Sequence, residues 1–125
     1  MVEFAIVAIV FISVIFGLTL MSLAIFNYNT VCSAARQASR YAMAHSPTSP
    51  LPDPGGVNTT QVATNAATGL DPSKLVVEVT WPADPNFVGQ TDATVTVSYT
   101  FTLDVPFIMS LPITVSSTSQ VLSAQ

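Results

Sequence analysis

Positive charge is nearly missing from this sequence. Three Lys and Arg stand against seven Asp and Glu in 125 residues. Beyond residue 45 there are six acids and one base, Lys74. Phosphate binding needs Lys and Arg, so the balance argues against nucleic acid as a partner. The single cysteine, Cys32, cannot close a disulfide within the chain, and with one histidine, His45, there is no ligand set for zinc. Charge of either sign is scarce, at 8% of residues against roughly 25% in an average soluble domain. A soluble monomer of this size needs charge to stay dispersed. The composition therefore points to a membrane or an assembly, and the length allows one small domain with an appendage.

Catalytic signatures are missing too. There is no G-x-S-x-G, no P-loop and no Cys–His–Asp constellation. Asp53, Asp71, Glu78, Asp84, Asp92 and Asp104 are scattered through turns and strand faces. The chain reads as no enzyme, with no cofactor implied.

What is present is a long apolar run with one acid at its head. Glu3 is the one charge in the first 35 residues, and the stretch from Phe4 to Phe26 holds 15 Leu, Ile, Val and Phe and no proline. About 20 apolar residues span a hydrocarbon core, so this run suffices. A secretory signal peptide has a basic start and a shorter apolar region. From Asn27 to Ala44 there is still no Pro or Gly, and Ala35, Ala38 and Ala42 recur at helical spacing. Arg36 and Arg40 lie on one flank, suited to a helix C-terminus. A helix from Met1 to about Ala44, ended by Pro47, would be roughly 66 Å long.

Residues 46–56 hold four prolines and two glycines and read as a linker or surface loop. Asn58 or Thr59 is placed to cap a short helix through about Ala67, closed by Gly69. Leu75 to Trp81 reads as a strand with Leu75, Val77, Val79 and Trp81 on one face, followed by a turn around Pro82 to Gly89. From Ala93 to Val105 apolar residues alternate with Thr, Ser and Asp, the mark of one buried and one wet face. After Pro106 to Pro112, a last strand covers about Ile113 to Leu122. Three strands with one apolar face cannot stand alone in water. The alanine-rich half of the long helix is the nearest cover. The expected fold class is α+β: a long N-terminal α-helix as apolar stem (1–45) with a small antiparallel β-sheet head (46–125).

This layout resembles the type IV pilin superfamily, and most nearly its TadE-like pilins and pseudopilins. Met1-Val2-Glu3-Phe4-Ala5-Ile6-Val7 carries the resemblance, with Ala34-Ala35-Arg36-Gln37-Ala38-Ser39-Arg40-Tyr41-Ala42 and the strand Val95-Thr96-Val97-Ser98-Tyr99-Thr100-Phe101. Pilins of this superfamily carry the acid at the fifth position of the mature chain, behind a basic leader removed by a prepilin peptidase. Here the acid is third. Either a leader and two residues precede Met1, or the spacing is shifted.

The resemblance implies a pilin-like structural subunit. Its stem sits in the inner membrane first and then packs with identical stems in a helical, cell-surface filament, with an inner-membrane assembly platform and a prepilin peptidase as partners. Apolar burial of Phe4 to Phe26 against like helices is the expected assembly energy. Glu3 would pair with the N-terminal amine of a neighbouring subunit, which makes Met1, Glu3, Phe4, Phe11 and Gly17 the candidate assembly residues. Ala8 and Ala24 would join Gly17 in letting helices approach closely. Phe4, Phe11, Phe16, Phe26, Tyr28 and Tyr41 read as packing residues. Asn58-Thr59-Thr60 fits an N-glycosylation sequon, and Ser46-Pro47-Thr48-Ser49-Pro50 and the exposed threonines suit O-glycosylation. Two rivals are a minor pseudopilin of a Tad-like or secretion system and a single-pass membrane protein whose surface β-domain binds a partner.

Overall fold

A computed structural model of the chain describes residues 2–47, 49–53, 55–82, 92–105 and 109–122. The elements run α1 (Val2–Ala44), α2 (Val57–Ala66), a single 3-10 turn (Pro72–Lys74), β1 (Leu75–Thr80), β2 (Asp92–Val105) and β3 (Met109–Leu122). The architecture is the expected α+β one, a 43-residue helix with a three-stranded antiparallel sheet in the order β1-β2-β3. Met1 and the turn from 83 to 89, with Asp84, lie outside the described residues, as does Thr48 of the Ser/Thr-Pro stretch.

The second half of α1 forms one wall of the head. Val31, Ala34, Ala35, Ala38 and Ala42 are fully buried. Their spacing puts them on one stripe, and their small size lets the sheet lie close to the helix backbone. Opposite them, β2 buries Ala93, Val95, Val97, Tyr99 and Phe101, while Leu75, Val77, Val79, Ile113 and Val115 flank this core. On the inward side β3 departs from the apolar pattern. There Ser119 meets Ser39 of α1, hydroxyl to hydroxyl at 2.9 Å, and the Ser39 hydroxyl also reaches the Arg36 carbonyl at 3.0 Å. A serine pair thus replaces an apolar contact, which explains why this strand alternates less clearly in sequence.

β3 begins earlier than expected. It starts at Met109, and Pro112 stands opposite Thr102 inside the ladder. A proline is tolerated there because β3 is an edge strand. The outward face is rich in hydroxyls that bond across strands, Thr96 with Thr118 at 3.1 Å and Thr100 with Thr114 at 3.0 Å. β1 stops at Thr80, and Trp81 follows it half-buried against the core.

The start of α2 also differs from the sequence expectation. The helix begins at Val57 after Gly56, and neither Asn58 nor Thr59 caps it. The acceptor is Asp53, whose Oδ2 receives the Thr59 N–H at 2.9 Å and the Thr59 hydroxyl at 3.0 Å. A carboxylate held four residues before the helix is a stronger acceptor than a local hydroxyl. Gly56 permits this entry. It has φ 63°, and a Cβ there would lie 3.0 Å from Val79. Asp53 also ties the loop to α1 through its N–H and the His45 carbonyl at 3.0 Å. The last turn of α1 carries no base, since Arg40 falls a turn too early; the His45 ring nitrogen Nδ1 sits 3.0 Å from the Tyr41 carbonyl instead.

Burial alone would push the Asp53 carboxyl up. Hydrogen bonds from Thr59 and the backbone N–H groups of Asn58 and Val57 outweigh it and hold the carboxyl below its ordinary value. A depressed folded value adds stability above the unfolded value of about 3.9, lost as pH falls through the folded value. Asp53→Asn is therefore expected to cost about 1–3 kcal/mol near neutral pH. It should also flatten the loss of thermal stability on acidification below about pH 4. Melting curves across that range in detergent check both; equal acid slopes in the two proteins would contradict the role given to Asp53.

Candidate assembly stem

Every residue of α1 from Val2 to Ile25 is exposed except Ala8, Leu20 and Ala24, which are half-buried. Phe4 is 80% exposed and Phe11 64%. Soluble monomers rarely leave a contiguous apolar surface of this size uncovered. The exposed residues lie all round the helix, which is the pattern of a helix surrounded by apolar material and not of one that packs on a single side.

Two of the polar groups along it are satisfied by the helix itself. The Ser13 hydroxyl donates to the Ile9 carbonyl at 2.8 Å, and that of Thr19 to the Ile15 carbonyl at 2.9 Å. Such back-bonding removes the need for water, so both residues are compatible with hydrocarbon. The head begins where the hydrocarbon would end. The first fully sheltered residue on α1 is Asn27, after Ala24. The free length from Val2 to Leu23 is about 33 Å, close to the roughly 30 Å of a bilayer core.

The assembly residues expected from sequence occupy different parts of the stem. Phe4 and Phe11 are seven apart and share one stripe; Phe11 joins Ile6, Val7, Val10 and Val14 around a shallow apolar groove. Gly17 lies on another side, and a Cβ there would meet nothing within 4 Å, so the fold of this chain does not require glycine at that position. A second hollow, lined by Leu18, Thr19, Ser22, Leu23 and Phe26, lies just below the head. Sequence reasoning did not single it out; its signal was the pair Thr19 and Ser22 within an apolar run.

Glu3 is exposed in the first turn of α1, where a negative charge complements the helix dipole. Arg36 and Arg40 lie about 50 Å or more up the same helix. They are too far to reach it, so neither is a partner for Glu3 within the chain. Asn58 is exposed in the first turn of α2, and its sequon partner Thr60 donates its hydroxyl to the Gly56 carbonyl at 2.7 Å. Cys32 is a half-buried free thiol.

Neither a curated protein nor a solved structure matches the chain. The match found ends at residue 40, before the sheet, and covers the apolar stem and the start of the alanine stripe. Such a match suggests a Tad pilus-associated protein, and the apolar helix it covers is compatible with membrane anchoring. Residues 1–40 match the model of the TadE-like protein family, which supports a TadE-like, pilin-related chain.

Proposed function

We propose that this chain is a structural subunit of a Tad-like pilus. Its stem is held in the inner membrane before assembly and becomes part of the core of a cell-surface filament, with the heads outside. The observation that carries this reading is the uncovered stem: about 33 Å of helix, apolar on all sides, with a lone acid at its tip. A plain anchor accounts for the apolar length and gives Glu3 only the helix dipole to complement, which an anchor does not need. Stacked stems would give it a partner, because a neighbour's terminal amine can neutralise a carboxylate that is costly in hydrocarbon.

Electron microscopy of sheared cell-surface material, with peptide identification, tests the proposal. The expected result is thin filaments in which this chain is the dominant protein. A few copies among another major subunit would make it a minor pseudopilin. Recovery in the membrane fraction alone, with no filament, would make it a single-pass membrane protein and overturn the proposal.

A further inference from the structure

The sheet is ragged at one end, and the contacts fix where that end lies. Asp53 is tied to His45 at the top of α1, and a Cβ on Gly56 would touch Val79. From there α2 descends, because a Cβ on Gly69 would lie 3.9 Å from the Phe26 ring. Leu75 follows Leu70 by five residues, a reach of at most about 18 Å, so β1 starts at the end of the head nearer the stem. The Ser39–Ser119 bond agrees, since Ser119 stands opposite Val95, and Val95 opposite Val79.

β1 pairs with β2 up to Tyr99 and no further. Beyond that point Thr100–Val105 and Met109–Thr114 continue as a two-stranded ribbon. Six residues of strand extend about 20 Å, less when tilted against the helix axis. This overhang therefore runs down beside the upper stem. The exposure of α1 agrees with it: Ala24 packs against the core, and Leu20, on the same side as Ala24, Val31 and Ala38, is half-buried.

We propose that the overhanging end of the β2–β3 ribbon is a second membrane contact, resting on lipid at the headgroup–acyl boundary beside the stem. Its helix-facing side carries Leu103, Ile113 and Leu111, and Leu111 is 57% exposed although it lies on the same side of the ribbon as the half-buried Ile113. Asp104 is the one charged residue from Ala93 to Gln125. Lipid is the occupant because the patch is continuous with the stem at the level of Leu20, inside or at the edge of the roughly 30 Å core that the stem spans. Together, stem and ribbon would fix the tilt and rotation of the head above the membrane.

The inference rests on the stem's spanning a bilayer, and the test separates the two. Nitroxide labels are placed singly at Leu111→Cys, Thr80→Cys and Phe16→Cys in a Cys32→Ser background. The full chain is put at one copy per nanodisc of phosphatidylcholine and phosphatidylglycerol. The ratio of oxygen to nickel-chelate accessibility is then read by electron paramagnetic resonance. The expected ratio at Leu111 is several-fold above that at Thr80 and below that at Phe16. Equal ratios at Leu111 and Thr80 overturn the proposal. So does a raised ratio at Leu111 seen only with several chains per disc, which would give the patch to a second copy. A water-exposed label at Phe16 overturns the membrane stem itself, and the ribbon contact with it.

Discussion

Glu3→Ala is expected to abolish or sharply reduce filaments while leaving the head folded and the stem inserted. On the proposed subunit role, the reason lies in what would change when a stem moves from lipid into a bundle of stems. Lipid tails are as apolar as Leu, so Phe4, Phe11 and their neighbours gain little hydrophobic energy on transfer; packing and polar contacts must supply the difference. Apolar burial of Phe4 to Phe26, the assembly energy expected from the sequence, keeps the stem out of water, but between lipid and a bundle of stems it gives no preference. A carboxylate paired as proposed would make that choice. Alone in a low-dielectric setting it is costly, and pairing with an amine relieves both groups.

Removing one partner of a buried pair typically costs about 3–5 kcal/mol, because the other charge is left uncompensated. Each 1.4 kcal/mol is about tenfold in an equilibrium constant, so even a fraction of that loss per subunit would deplete filaments. The measurement is filament yield by electron microscopy, with membrane-bound subunit quantified in parallel. Normal filaments from Glu3→Ala would remove the pairing hypothesis. Glu3→Gln separates charge from hydrogen bonding: if charge is what counts, it should behave like alanine.

The long helix and β2 were legible in the sequence because each carried its own period. The helix through Ala44 announced itself by apolar density, then by Ala35, Ala38 and Ala42 at helical spacing. β2 did so by strict alternation from Ala93 to Val105. What stayed hidden depended on partners distant in sequence. The cap of α2 is Asp53, which becomes visible only when the loop folds back under His45. β3 admits Pro112 only because it lies at an edge, and edge position is a property of the sheet. Ser119 looks out of place on an apolar face until Ser39 is opposite. The candidate site was legible as composition, since an uncovered stem is a run of Leu, Ile, Val and Phe. The overhang was not, because it follows from β1 being short relative to β2 and β3.

Ala38→Leu should separate the head's fold from the stem's. Ala38 is fully buried in the middle of the stripe that faces the sheet, beside the Ser39–Ser119 bond. A larger side chain has no space there unless the sheet moves off the helix, and overpacking of this kind costs typically about 1–3 kcal/mol. For a unit the size of this head, a cost of about 2 kcal/mol lowers the melting temperature by roughly 8–16 °C. The near-ultraviolet signal of Trp81 and Tyr99, followed on heating in detergent, is the readout. The helical far-ultraviolet signal should survive well above that transition, because the stem's backbone hydrogen bonds are internal and its apolar surface stays covered by detergent. Gln37→Leu is the control. Gln37 is exposed one residue away, and its change should stay within about 0.5 kcal/mol. If Ala38→Leu melts like the parent, the alanine stripe is not the tight seam between stem and sheet. If both signals are lost together, stem and head are one cooperative unit, and the view of a stem that can change its surroundings while the head stays intact fails with it.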